Sequence, residues 1–127
     1  MGALEEMAKQ SMEVEELAKV IAAESASLGT QGMMATAHVL NNRAGTSSTA
    51  YKEAIKKNQF YGYTNKNKDK IYESVKPEAL RIANLLYNKQ LGEDFTLGAK
   101  YFRQPQEKVQ PWHKEETITI GNHIFYK

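Results

Sequence analysis

Apolar residues recur at helical spacing through the first half of the chain and alternate with polar ones near its end. Leu17, Ile21, Glu24 and Leu28 fall on one helical face, so the stripe carries a carboxylate among its apolar members. The periodicity predicts a helix over about Leu4–Leu28, interrupted near Ser11 and clearest over Glu13–Ala26. Ala18, Ala22 and Ala23 favour that state. Gly29 suits a C-terminal cap, and a second, mostly buried helix runs from Gln31 to about Asn42. Arg43–Thr49 reads as a loop, with Ser48 or Thr49 capping a helix through about Lys57. Asn58–Lys70 is irregular and rich in Asn, Lys and aromatics. Pro77 opens a further helix over Pro77–Gln90 at the position proline favours. A turn at Asp94–Gly98 precedes a strand over Ala99–Arg103 and a polar loop over Gln104–Pro111. Thr117–Ile120 and His123–Tyr126 then form a hairpin about Gly121-Asn122.

Helices first and a small antiparallel sheet last give an α+β fold. The 127 residues suffice for one domain with one core, and residues 1–13 read as an N-terminal helical extension. No apolar run approaches a membrane span, so insertion into a membrane is not expected. The first residues lack the basic start and apolar core of a signal peptide. Absence of cysteine excludes disulfides, thiolate nucleophiles and Cys-ligated zinc. The net charge of +2 is too small to imply a nucleic-acid partner by itself, but its distribution is uneven. Six acidic residues and two lysines lie in Met1–Glu24, and seven lysines against three acids lie in Tyr51–Lys76. The lysine-rich middle is either solvated surface or a face for an anionic polymer.

The chemistry is narrowed mainly by what is missing. His38, His113 and His123 have no HExxH or short helical ligand spacing, so no metal is expected. A buried or otherwise satisfied ring is the reading for His38. There is no GxSxG elbow and no glycine-rich phosphate loop. Phe60, Tyr61 and Tyr63 in a polar loop suit either stacking on a sugar or base, or pinning the loop to the core. No single-strand or helix-turn-helix signature accompanies them. Glycoside hydrolysis normally uses two carboxyl groups. Here the aspartates are only Asp69 and Asp94, and the other glutamates fall mostly in charged, exposed runs. Glu24 is either an edge residue reaching solvent or a base, or a general acid whose apolar surroundings raise its proton affinity. One glutamate suffices if it first protonates the leaving oxygen and then takes a proton from the sugar's own hydroxyl.

Four segments, taken in order, resemble the SleB/CwlJ-type cell-wall hydrolases. They are LAKVIAAES at Leu17–Ser25, GTQGMMATAHVLNNR at Gly29–Arg43, AYKEAIKKNQF at Ala50–Phe60, and Phe95–Lys127 with its Tyr-Phe strand and His-x-Phe-Tyr end. Ser25 stands where the family usually has Ala, Asn41 adds a residue before Asn42-Arg43, and Tyr61–Tyr72 has no counterpart. The resemblance implies a lysozyme-related fold and cleavage of peptidoglycan between N-acetylmuramic acid and N-acetylglucosamine. It also implies a 1,6-anhydromuramic product and no cofactor. It carries Glu24 over as the acid/base, and Gln59, Phe60, Tyr101, Trp112, Asn122 and His123 as motif positions expected to contact substrate. Tyr101 and Phe60 would stack on sugars. Core packing competes as a role for Trp112 and Phe102, and a turn role for Asn122. A hydrolytic muramidase and a non-catalytic wall-binding or phage module are the alternatives. The expected partner is the glycan strand, met by a monomer at the cell wall or spore cortex. With no leader, the chain is expected to be spore-associated, phage-delivered or processed. An activator docking on Leu4–Met12 is left open.

Overall fold

A computed structural model describes residues 2–56 and 66–127. Gln59, Phe60, Tyr61 and Tyr63 lie outside the described residues. Helix α1 (Ala3–Ser25) leads through a 3-10 turn (Ala26–Leu28) into α2 (Gly29–Ala44). Helices α3 (Ala50–Ala54) and α4 (Lys68–Tyr87) follow. Strands β1 (Tyr101–Arg103), β2 (Glu116–Ile120) and β3 (His123–Tyr126) form an antiparallel sheet ordered β1-β3-β2. The architecture is the expected α+β arrangement.

The core lies where α1 packs on α4 and α2. Leu17, Val20 and Ile21 of α1 meet Val39 and Leu40 of α2, Ile82 and Leu86 of α4 and Phe125 of β3, all buried. Burying side chains of this size stabilises by about 1.5–3 kcal/mol each. Around this core the two charge blocks of the sequence meet. Lys19 pairs with Asp69 at 3.1 Å, and Lys68 with Glu16 at 3.5 Å. Part of the lysine-rich middle therefore neutralises α1.

Several boundaries differ from expectation. Helix α1 runs through Ser11 without a break, although every residue from Gly2 to Met12 is exposed. Strong helix formers and Glu5 and Glu6 at the positive helix end hold that segment. Helix α3 closes at Ala54, short of Lys57. Helix α4 begins at Lys68, and Pro77 lies inside it. The ladder is interrupted just ahead of the proline, where Val75 has φ −132° and ψ 19°. Pro77 thus opens the second segment of a kinked helix.

Parity along the strands divides the sheet. Tyr101 pairs with Tyr126 and Phe102 with Phe125. Phe125 belongs to the core, so Phe102 and His123 share its face, and Tyr101, Arg103 and Tyr126 take the other.

Candidate active site

Glu24 lies in the last turn of α1, half-buried, one turn beyond the fully buried Ile21. Ser25 leaves helical geometry at φ −146°, while the Ala26 N–H still bonds the Ala22 carbonyl. Three bonds fix this turn. The Ser25 hydroxyl donates to the Ile21 carbonyl at 2.8 Å. Thr36 of α2 donates to the Ser25 hydroxyl at 2.9 Å, both side chains being buried. The Glu24 carbonyl meets His123 Nε2 at 3.0 Å. A carbonyl only accepts, so Nε2 carries the proton.

The hairpin tip comes to this turn through Leu28. A Cβ on Gly121 would stand 2.5 Å from Leu28 Cδ2, and one on Gly32 2.2 Å from Leu28 Cβ. Gly32 is needed for that approach, and at Gly121 a Cβ would have to push the end of the Leu28 side chain aside. Gly121 also has φ +56°, and Asn122 does not share a positive φ, the pattern of a type II′ hairpin. The tip places the Asn122 amide 2.9 Å from His123 Nδ1 and 3.5 Å from Gln104 Oε1; with the proton on Nε2, Nδ1 accepts, and the amide turns its NH2 toward it. Phe102 stacks on the His123 ring, 5.1 Å between centroids and 19° between planes. His123 is only 2% exposed. Both ring nitrogens and one ring face are therefore occupied by protein. This position was expected to contact substrate; its ring instead lies inside, because its strand parity is that of Phe125.

A second cluster occupies the opposite sheet face. Tyr101 lies 6.4 Å from Trp112 and 6.5 Å from His113, and His113 stacks on Tyr126 at 4.7 Å. The Arg103 guanidinium donates to the Tyr126 hydroxyl at 2.8 Å. Burial, with the Arg103 charge second, pushes the His113 imidazole below its ordinary value. Trp112 is 49% exposed, so it is a surface residue and not core. Arg43, at the end of α2, covers the Tyr101 ring at 5.1 Å.

The scan against family models matches residues 28–126 to Cell Wall Hydrolase. The chain belongs to the cell wall hydrolase family. The matched span begins just after Glu24. The catalytic domain of the Bacillus cereus SleB protein, known from a crystal structure, has the same fold with a TM-score of 0.65. That alignment is 24% identical and covers 91% of this chain and 89% of the SleB domain. No curated protein matches this chain significantly. Family membership makes the chain a cell-wall-degrading enzyme whose substrate class is peptidoglycan.

Within this cell wall hydrolase the residues singled out from sequence separate into groups. Glu24, Asn122 and His123 come together at the helix end. Tyr101 and Trp112 come together on the other face of the sheet. Sequence reading missed Ser25, Thr36 and Gln104 as parts of the first group. It also missed Glu53, a buried carboxylate in a stretch that reads as exposed. Glu53 Oε2 meets Lys56 at 2.8 Å and Oε1 faces Arg43 at 3.8 Å.

Asp94 was read only as a turn residue. It receives Thr96 N at 2.9 Å, the Thr96 hydroxyl at 2.5 Å, Gly98 N at 3.0 Å and Asn42 Nδ2 at 2.8 Å. Burial opposes its ionisation, but these donors together hold the carboxyl below the usual carboxylate range. Asn42 also donates to the Ala99 carbonyl at 2.9 Å, tying the family's Asn-Arg pair to the approach to β1. His38 is buried against Phe95, and burial lowers its proton affinity despite Asp94 3.6 Å away. Among the described residues no group of three His, Asp or Glu is arranged to hold a metal, and no helix is long and apolar enough to cross a membrane.

Proposed function

We propose that this chain cleaves the bond between N-acetylmuramic acid and N-acetylglucosamine by lytic transglycosylation, with Glu24 acting twice. As a carboxylic acid, Glu24 protonates the departing O4 of N-acetylglucosamine. As the resulting carboxylate, it removes the proton from the muramic 6-hydroxyl, whose oxygen attacks C1 and closes the 1,6-anhydro ring. The glutamate ends protonated, as it began, and no water or cofactor is consumed.

The observation that carries this reading is what the other fourteen acidic residues are doing, all of which are described. Glu53 is held by two cations and Asp94 by four donors. Glu13 accepts from Tyr87, Glu16 pairs with Lys19 and Lys68, and Glu78 engages Arg81 and Thr30. The remaining nine are exposed. Glu24 is half-buried and ends a helix, beside the buried Ser25–Thr36 pair and the His123 ring.

The test is digestion of purified peptidoglycan by the wild type and by Glu24→Gln, with muropeptides resolved by mass. Anhydromuramyl ends from the wild type and none from the variant are expected. Equal turnover by Glu24→Gln would remove Glu24 from the mechanism. One observation favours a second reading, hydrolysis by an activated water: Glu53 is a second buried carboxylate. Reducing ends in place of anhydro ends, lost in Glu53→Gln, would establish it.

A further inference from the structure

We infer that His123 is a positioning residue for Glu24: it holds the backbone carbonyl of the acid and thereby fixes the direction of the carboxyl. The inference rests on the proposed role of Glu24. Helix ends fray, because their last carbonyls have no helical donors. Glu24 sits in such a turn, immediately before the break at Ser25. Its own carbonyl is taken by a ring 99 positions away in sequence. That ring is itself fixed by Phe102 on its face and Asn122 at Nδ1. The residue after Glu24 is fixed independently by Thr36 through the Ser25 hydroxyl.

The Glu24 peptide is thus clamped on both sides, once to β3 and once to α2. A carboxyl that must first meet a leaving oxygen and then a hydroxyl needs its backbone held, since displacement of about 1 Å costs on the order of a hundredfold in rate. His123 is almost wholly buried, with both ring nitrogens and one face against protein. Its effect on the reaction therefore passes through Glu24 and not through substrate binding.

The experiment compares His123→Phe and His123→Gln in the full chain. Phe keeps the stack on Phe102 and loses the donor; Gln presents an amide donor near the position of Nε2. With soluble glycan strands, His123→Phe is expected to lower kcat by about a hundredfold with KM unchanged. His123→Gln is expected to recover most of that loss. The carbonyl carbon resonance of a 13C-labelled Glu24 should move upfield in the Phe variant and return in the Gln variant. A folded His123→Phe with wild-type kcat, or an unmoved resonance, would overturn the inference. If the Phe variant does not fold, Phe102→Leu, which loosens the ring but keeps the donor, must lower kcat at constant KM. Wild-type kcat there would overturn the inference as well. Glu24→Gln run alongside separates the two ideas. An inactive Glu24→Gln variant beside a fully active His123→Phe leaves Glu24 standing and removes the positioning role. An active Glu24→Gln variant removes the acid first, and the positioning role with it.

Discussion

Replacing Asp94 by Asn tests whether a single carboxylate holds α2 to the turn that leads into β1. The side chain accepts four hydrogen bonds, two at each oxygen. An amide offers one acceptor oxygen and one donor group. Its better orientation keeps the oxygen toward Asn42 and Gly98 and turns the NH2 toward Thr96. The Thr96 hydroxyl can rotate to accept, but the Thr96 N–H then has no acceptor, which costs about 1–3 kcal/mol. The bonds that remain lose their charge and with it roughly half their strength. The sum is about 3 kcal/mol, a large share of the ~5–15 kcal/mol that holds a domain of this kind. At roughly 4 °C per kcal/mol, Tm falls by about 12 °C. The pH dependence has a definite sign. The folded carboxyl titrates below the usual carboxylate range, so its contribution is present at and above the unfolded carboxyl's pKa and is lost as pH falls through the folded one. Urea unfolding of both proteins from pH 7 downward should therefore give a constant gap that closes in acid. A gap under about 1 kcal/mol at neutral pH, or one that persists in acid, would refute the reasoning.

Two further substitutions probe the site's supports. Gly121→Ala must adopt φ +56° and bring its Cβ against Leu28, so a loss of about 1–3 kcal/mol in thermal unfolding is expected; Leu28→Ala in the same chain should recover part of it, and additive losses would show that the two do not meet. Trp112→Ala removes a half-exposed ring, so Tm should hardly change, while sedimentation with insoluble peptidoglycan should weaken about tenfold, or ~1.4 kcal/mol; unchanged sedimentation would take Trp112 out of the binding surface.

The fold was legible where a pattern is local. The alternation over Thr117–Tyr126 with glycine at the turn gave the hairpin, and the spacing of Leu17 and Ile21 gave the buried face of α1. The misreadings share a cause. The irregular stretch was drawn to Lys70 and the helix begun at Pro77 because lysines dominate there, yet Ile71, Tyr72 and Val75 have helical spacing and Tyr72 is buried. Proline was taken as the start of the helix because it fits the first turn so well. The kink at Val75 shows that it equally fits a restart within one. Glu53 looked exposed because lysines surround it. One of those lysines, Lys56, is what makes its burial tolerable, together with Arg43 from another element.

Glu24 stands out in the sequence as a carboxylate on an apolar stripe; what surrounds it does not, because those contacts come from residues far apart in sequence. Ile124 and Phe125 are both apolar and lie on opposite parities, so the sequence alone does not choose the buried face; in the structure Phe125 faces the core, and His123, two residues earlier, faces it too. Tyr126 and Ile124 take the other side, and the β1 register then sends Phe102 inward and Tyr101 outward. Among the described residues of that expected substrate surface, His123 thus belongs to one face of the small sheet, and Tyr101 and Trp112 to the other. The inner face ends at the Glu24 carbonyl, where an imidazole, an amide and two hydroxyls hold a helix end in place. The outer face carries Tyr101 and Trp112 near the edge made by β1. A glycan strand reaching both must cross that edge, so loss of Trp112 should be felt by long strands and not by a short oligosaccharide spanning only the scissile bond.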